Sequence, residues 1–118
     1  MDNEAKLKQT IVQIVTHFEQ DQMWITPNLI SVTLEPGLLV VTLRGVTSQA
    51  ERHLAEQEDG RVLLQNLFRR LFDSVKQDLE KGIENSLKQV VRQSRLNVDP
   101  RFGSGILLFD LGDSAPID

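Results

Sequence analysis

Leu7, Ile11, Ile14, Val15 and Phe18 recur three or four positions apart, the period of a helix with one apolar stripe. Asp2 or Asn3 can cap that helix, and Glu4 suits the positive end of its dipole. It is expected to stop near Asp21, with Pro27 turning "WITPN" into a connector. The period then shortens to two. "LISVTL" places Ile30, Val32 and Leu34 on one face and Leu29, Ser31 and Thr33 on the other. "LLVVTLR" (Leu38–Arg44) is apolar on both faces, as a central strand would be. Between them Pro36 and Gly37 occupy the second and third positions of a type II turn, because Pro fixes φ and Gly accepts a positive φ. A hairpin follows.

The next stretch, "RGVTSQAERHLAEQEDGRVLL", is dense in charge. Ser48 and Glu51 have the spacing of a capping box, which predicts a short helix with Ala50, Leu54 and Ala55 facing inward. "EQEDG" interrupts it, and Asp59 is expected to cap a second helix, with Glu58 and Asp59 at its positive end. From Arg61 to about Lys88, Leu63, Leu67, Leu71, Val75, Leu79, Ile83 and Leu87 are spaced by four, beside Leu64, Phe68 and Phe72. Arg69–Asp73 and Glu84–Lys88 are placed for exposed ion pairs. Gly82 costs about 1 kcal/mol relative to Ala, so a kink or break is expected there.

"QVVRQSRLNV" (Gln89–Val98) is half apolar and fits an edge strand, "DPRFGSG" is a turn, and "ILLFDL" (Ile106–Leu111) returns as a strand apolar on both faces. The predicted order is α-β-β-α-α-β-β. That order makes an α+β domain over residues 1–111, with a four-stranded, mainly antiparallel sheet and helices on one face. Residues 112–118 are expected to be a flexible acidic tail.

The 118 residues suffice for one core. A net charge of -4 argues against a general nucleic-acid binder, which needs a basic face. The arginines at 69, 70, 92, 95 and 101 are scattered, and Arg92 and Arg95 are expected on opposite faces of a strand. The absence of cysteine excludes disulfides and thiolate chemistry. Neither a signal peptide nor an apolar run of membrane-spanning length stands out, so a soluble, cytoplasmic protein is expected.

Candidate chemistry is thin. His17 and Asp21 share a helix face, but two ligands do not make a metal site. No cofactor is expected: "GSG" at Gly103–Gly105 is a hairpin tip, with no following helix to bind phosphate. His53 and Glu56, with Arg44 at the strand end, form the one polar group from which an enzyme or small-ligand site could be built. Their structural reading is an exposed helix face. Trp24 is expected to lie over the end of the core, or to anchor a partner.

Leu43-Arg44-Gly45, Ser48-Gln49-Ala50-Glu51, Gly60-Arg61 and the closing Phe109-x-Leu111 resemble the steps of a bacterial family of unknown function. This is the MpsC-like domain, named after a sodium-translocating, membrane-potential-generating system. The resemblance runs from about Leu7 to Leu111. Two features depart from it: Trp24-Ile25-Thr26-Pro27 replaces a Gly-x-Gly-Pro step, and Asn97 stands where the family has Asp. The resemblance implies a small cytosolic protein accessory to a membrane complex, and no transferable catalytic residue.

A helix over residues 61–88 would be about 40 Å long, twice the span of six-residue strands at about 20 Å. The stripe through Leu79, Ile83 and Leu87 must therefore be covered by the first helix, by a fold-back at Gly82, or by a second copy. A two-fold dimer through Leu79, Ile83 and Leu87 is one simple solution. A non-catalytic, self-associating interaction or regulatory module is the favoured function. An enzyme or small-ligand site at Arg44, His53 and Glu56 comes second, and nucleic-acid binding third.

Overall fold

The computed structural model describes residues 2–112, Asp2 by its backbone alone. Its elements are α1 (Asp2–Asp21), β1 (Leu29–Glu35), β2 (Leu38–Arg44), α2 (Gln49–Leu54), α3 (Glu58–Leu87), β3 (Gln93–Asp99) and β4 (Ser104–Asp110). The four strands form one antiparallel sheet in the order β1-β2-β4-β3. This is the expected α+β architecture. The acidic tail expected from Gly112 onward lies, except for Gly112, outside the described residues.

Alternation does what the sequence requires of it. Leu39, Val41 and Leu43 of β2, Leu107 and Phe109 of β4 and Leu96 and Val98 of β3 are buried on one face. Ile11, Val15 and Phe18 of α1 and Leu64, Phe68, Phe72, Leu79 and Ile83 of α3 close over that face. Phe18 meets Phe72 edge-on, ring centroids 5.9 Å apart. Burying a side chain of this size stabilises the fold by about 1.5–3 kcal/mol. Gly37 has φ +76, as the type II turn demands.

Helix α3 is unbroken through Gly82. A Cβ built on Gly82 would lie 3.1 Å from Ile14 Cγ2. The glycine admits the close approach of α1 and does not break the helix. The same packing takes up Leu79, Ile83 and Leu87, the expected dimer surface. Leu79 and Ile83 are 1% and 0% exposed and Leu87 is partly buried against the core. Within one chain α1 packs along α3, so these residues are interior and not an exposed partner surface.

The reason is angular. Four residues advance about 400° around a helix with 3.6 per turn, so each step of a four-residue row drifts about 40°. Over six steps, Leu63 to Leu87 swings most of the way around the cylinder. Leu63, Leu67 and Leu71 therefore stand outside, 60%, 45% and 43% exposed, while Leu64, Phe68 and Phe72 are buried.

Smaller expectations also move. Asn3 lies within α1. Gln57, not Asp59, is the N-cap of α3, and its side chain makes no cap hydrogen bond. Ala55 is buried, but Ala50 and Leu54 are exposed. Arg69 donates to Asn66 Oδ1 (2.6 Å), and the Val91 N–H donates to Glu84 Oε2 (2.7 Å); neither expected ion pair forms. Strand β3 begins only at Gln93, so Arg92 precedes it. Trp24 is 88% exposed with φ +59 and covers nothing.

Candidate functional site

The charged junction between β2 and α3 is mostly committed to structure. Ser48 accepts the Glu51 N–H (3.1 Å) and Glu51 Oε1 accepts the Ser48 N–H (2.8 Å), completing the capping box. Arg52 donates to the Thr47 carbonyl. Arg61 Nη1 donates to the Ala55 and Glu56 carbonyls (3.0 and 3.2 Å), closing the C-terminus of α2. A Cβ on Gly60 would fall 2.1 Å from the Leu54 carbonyl oxygen, so only glycine lets α3 start this close to α2. The Gly-Arg step at residues 60–61 thus has a mechanical explanation.

His53 and Glu56 remain. His53 Nδ1 lies 3.7 Å from Glu56 Oε2, with the two side chains 82% and 67% exposed. They line a broad, open depression with Gln49, Ala50, Arg52 and Arg101. Arg44 is not part of its lining. It ends β2 on the opposite, uncovered face of the sheet. The structure therefore brings two of the three residues together and places the third elsewhere. A pair this exposed gains little from Coulomb attraction. His17 and Asp21 line a small groove between α1 and α3. Among the described residues no group of three or more His, Asp or Glu could hold a metal ion.

The sheet has a second face, which α1, α2 and α3 leave bare. The strand pairings set its side chains in four rows. Glu35, Leu38, Asp110 and Gln93 form the first; Thr33, Val40, Leu108 and Arg95 the second. Ser31, Thr42, Ile106 and Asn97 form the third; Leu29, Arg44, Ser104 and Asp99 the last. The centre is apolar, with Leu38, Val40 and Leu108 half-buried and Ile106 exposed. A shallow depression of about 160 Å³ there is lined by Leu38, Gln93, Arg95, Leu108 and Asp110. Among the described residues Glu35, Arg44 and Arg95 take part in no ion pair.

One buried acidic group belongs to neither the junction nor the bare face. Glu19 on α1 is 1% exposed, and its Oε2 has no hydrogen-bond partner among the described residues. Burial raises its pKa from 4.5 to about 7. A signal was present: Glu19 lies four residues beyond Val15, on the buried stripe.

The model of one protein family, "Na+-translocating membrane potential-generating system (MpsC)", matches residues 3–113. No match was found among curated proteins or solved structures. Among the described residues no helix is long and apolar enough to cross a membrane. The chain belongs to the MpsC family.

Proposed function

We propose that this protein is a non-catalytic interaction module that self-associates and serves as an accessory to a membrane ion-translocating system. The setting comes from the family's description. The self-association rests on one observation: among the described residues, no helix lies over the sheet face whose apolar centre is Val40, Ile106 and Leu108. Antiparallel sheets tolerate one wet face, but here Leu38, Val40, Leu108 and Ile106 adjoin one another on the two central strands, beside the polar Thr42, Arg44, Ser104 and Asp110. Light scattering tests the reading. A particle mass rising with concentration toward twice 13.4 kDa supports it, and a mass fixed at 13.4 kDa up to about 1 mM, the weakest end of specific association, refutes it.

The second reading is a small-ligand or enzyme site in the depression beside α2, favoured by Arg52, His53, Glu56 and Arg101 around its wall. Two guanidinium groups and an imidazole suit a small anion. Thermal melts with inorganic phosphate separate the two. Stabilisation that Arg101→Ala removes favours this reading, and an unmoved midpoint counts against it.

A further inference from the structure

We infer that the partner on the bare sheet face is a second copy of this chain, laid face to face about a two-fold axis that crosses the strands. The inference rests on the self-association proposed above and adds its surface and geometry.

Two arrangements about a two-fold in the plane of the sheet keep the strands aligned. An axis along the strands keeps each row on its own row. Glu35 and Asp110 of one copy then share an end with Glu35 and Asp110 of the other, and four carboxylates crowd together. An axis across the strands lays each strand on its own counterpart with the row order reversed. The first row then meets the last, and the second meets the third. Leu108 faces Ile106, Val40 faces Thr42, and Thr33 faces Ser31. Arg44 of each copy comes over Leu38 of the other, between Glu35 and Asp110 on the flanking strands.

Sheet twist improves this match. Stacked sheets are inclined by about 30°. Arg44 lies roughly 10 Å from the axis, so the inclination shifts it by about 5 Å, one strand spacing. A turn in either direction carries it from Leu38 onto Glu35 or onto Asp110. Arg95 at the same time comes over Asn97, two residues from Asp99. Asp110 and Asp99 each accept one backbone N–H, from Gly112 (2.8 Å) and Arg101 (3.1 Å), but among the described residues Glu35, Arg44 and Arg95 form no ion pair within the chain. Glu35 and Arg44 stand at opposite ends of the face, about 20 Å apart along the strands.

The footprint sets the strength. Four strands of seven residues cover roughly 19 by 23 Å, and the two copies together bury on the order of 1,000 Å². That is at the low end for a specific interface, where transient associations lie, so a weak, reversible dimer with a dissociation constant of micromolar order or above is expected.

Charge exchange tests the geometry. Sedimentation equilibrium is run on the wild type, Arg44→Glu, the double variants Glu35→Arg/Arg44→Glu and Asp110→Arg/Arg44→Glu, and Leu67→Glu, with circular dichroism reporting the fold of each. The two-fold repeats every contact, so Arg44→Glu should weaken the dimer by at least about tenfold. Glu35→Arg/Arg44→Glu should recover most of that loss if Arg44 lies over Glu35, and Asp110→Arg/Arg44→Glu should do so if it lies over Asp110; Leu67→Glu should change nothing. An unchanged dimer in Arg44→Glu, or no recovery in either folded double variant, overturns the geometry. Loss of the dimer in Leu67→Glu alone would move the contact to the Leu63–Leu67–Leu71 row and leave self-association standing. A wild type that never associates removes the underlying reading as well.

Discussion

Replacing Glu19 by Gln should flatten the dependence of folding stability on pH. Glu19 is buried, 1% exposed, with one carboxylate oxygen unpartnered among the described residues, and burial raises its pKa from 4.5 to about 7. A carboxyl with a raised pKa holds its proton more tightly in the folded chain than in the unfolded one. Its neutral form therefore fits the fold at no charge cost below pH 4.5. As pH rises toward 7 the unfolded chain releases the proton first, and stability falls by about 1.4 kcal/mol per pH unit. The loss levels off above pH 7 at about 3 kcal/mol. Gln has nearly the same shape and stays neutral. The variant should exceed the wild type by about 3 kcal/mol at pH 8 and by less than about 1 kcal/mol at pH 5. Urea unfolding at both pH values measures this, the larger gap appearing as a midpoint shift of roughly 1–3 M. Parallel curves, with the same gap at pH 5 and pH 8, would show that Glu19 keeps its charge solvated and would refute the reasoning.

Gly60→Ala should destabilise the fold by several kcal/mol, because the new methyl meets the Leu54 carbonyl at 2.1 Å; chemical denaturation reads it directly. Gly82→Ala should stay within about 1 kcal/mol of the wild type, since gained helix propensity opposes the 3.1 Å contact with Ile14. Leu79→Ala should cost about 2–5 kcal/mol as a core truncation, whereas Leu67→Ala, on an exposed side chain, should cost under about 1 kcal/mol; equal losses would contradict the partition of the two rows. Ser48→Ala should cost about 1 kcal/mol by removing one half of the capping box, visible as a thermal midpoint lowered by a few degrees.

The hairpin β1–β2 was legible because Pro36-Gly37 and period-two alternation are local signals, and the Ser48–Glu51 box was legible for the same reason. What could not be read locally was which of two four-residue rows on α3 faces inward. Leu63–Leu67–Leu71 and Leu64–Phe68–Phe72 are equally apolar, and the position of the sheet and α1 decides between them. Gly82 is a like case: its propensity cost is visible in the sequence, but Ile14, 68 positions away, is not. Arg44 lies near His53 and Glu56 in sequence but not in the fold. Alternation along β2 sends Arg44 to the bare face, away from α2. The arrangement of that face depends on β4 inserting between β2 and β3, which no local pattern encodes.

Methyl NMR with a soluble paramagnetic agent tests most directly whether the bare sheet face is the one covered in solution. As concentration rises through the micromolar range, the methyls of Val40, Ile106 and Leu108 should lose their solvent-induced relaxation. Those of Leu63, Leu67 and Leu71 should keep theirs. Constant relaxation at Val40, Ile106 and Leu108 across the series, or protection appearing on α3 instead, would contradict the account.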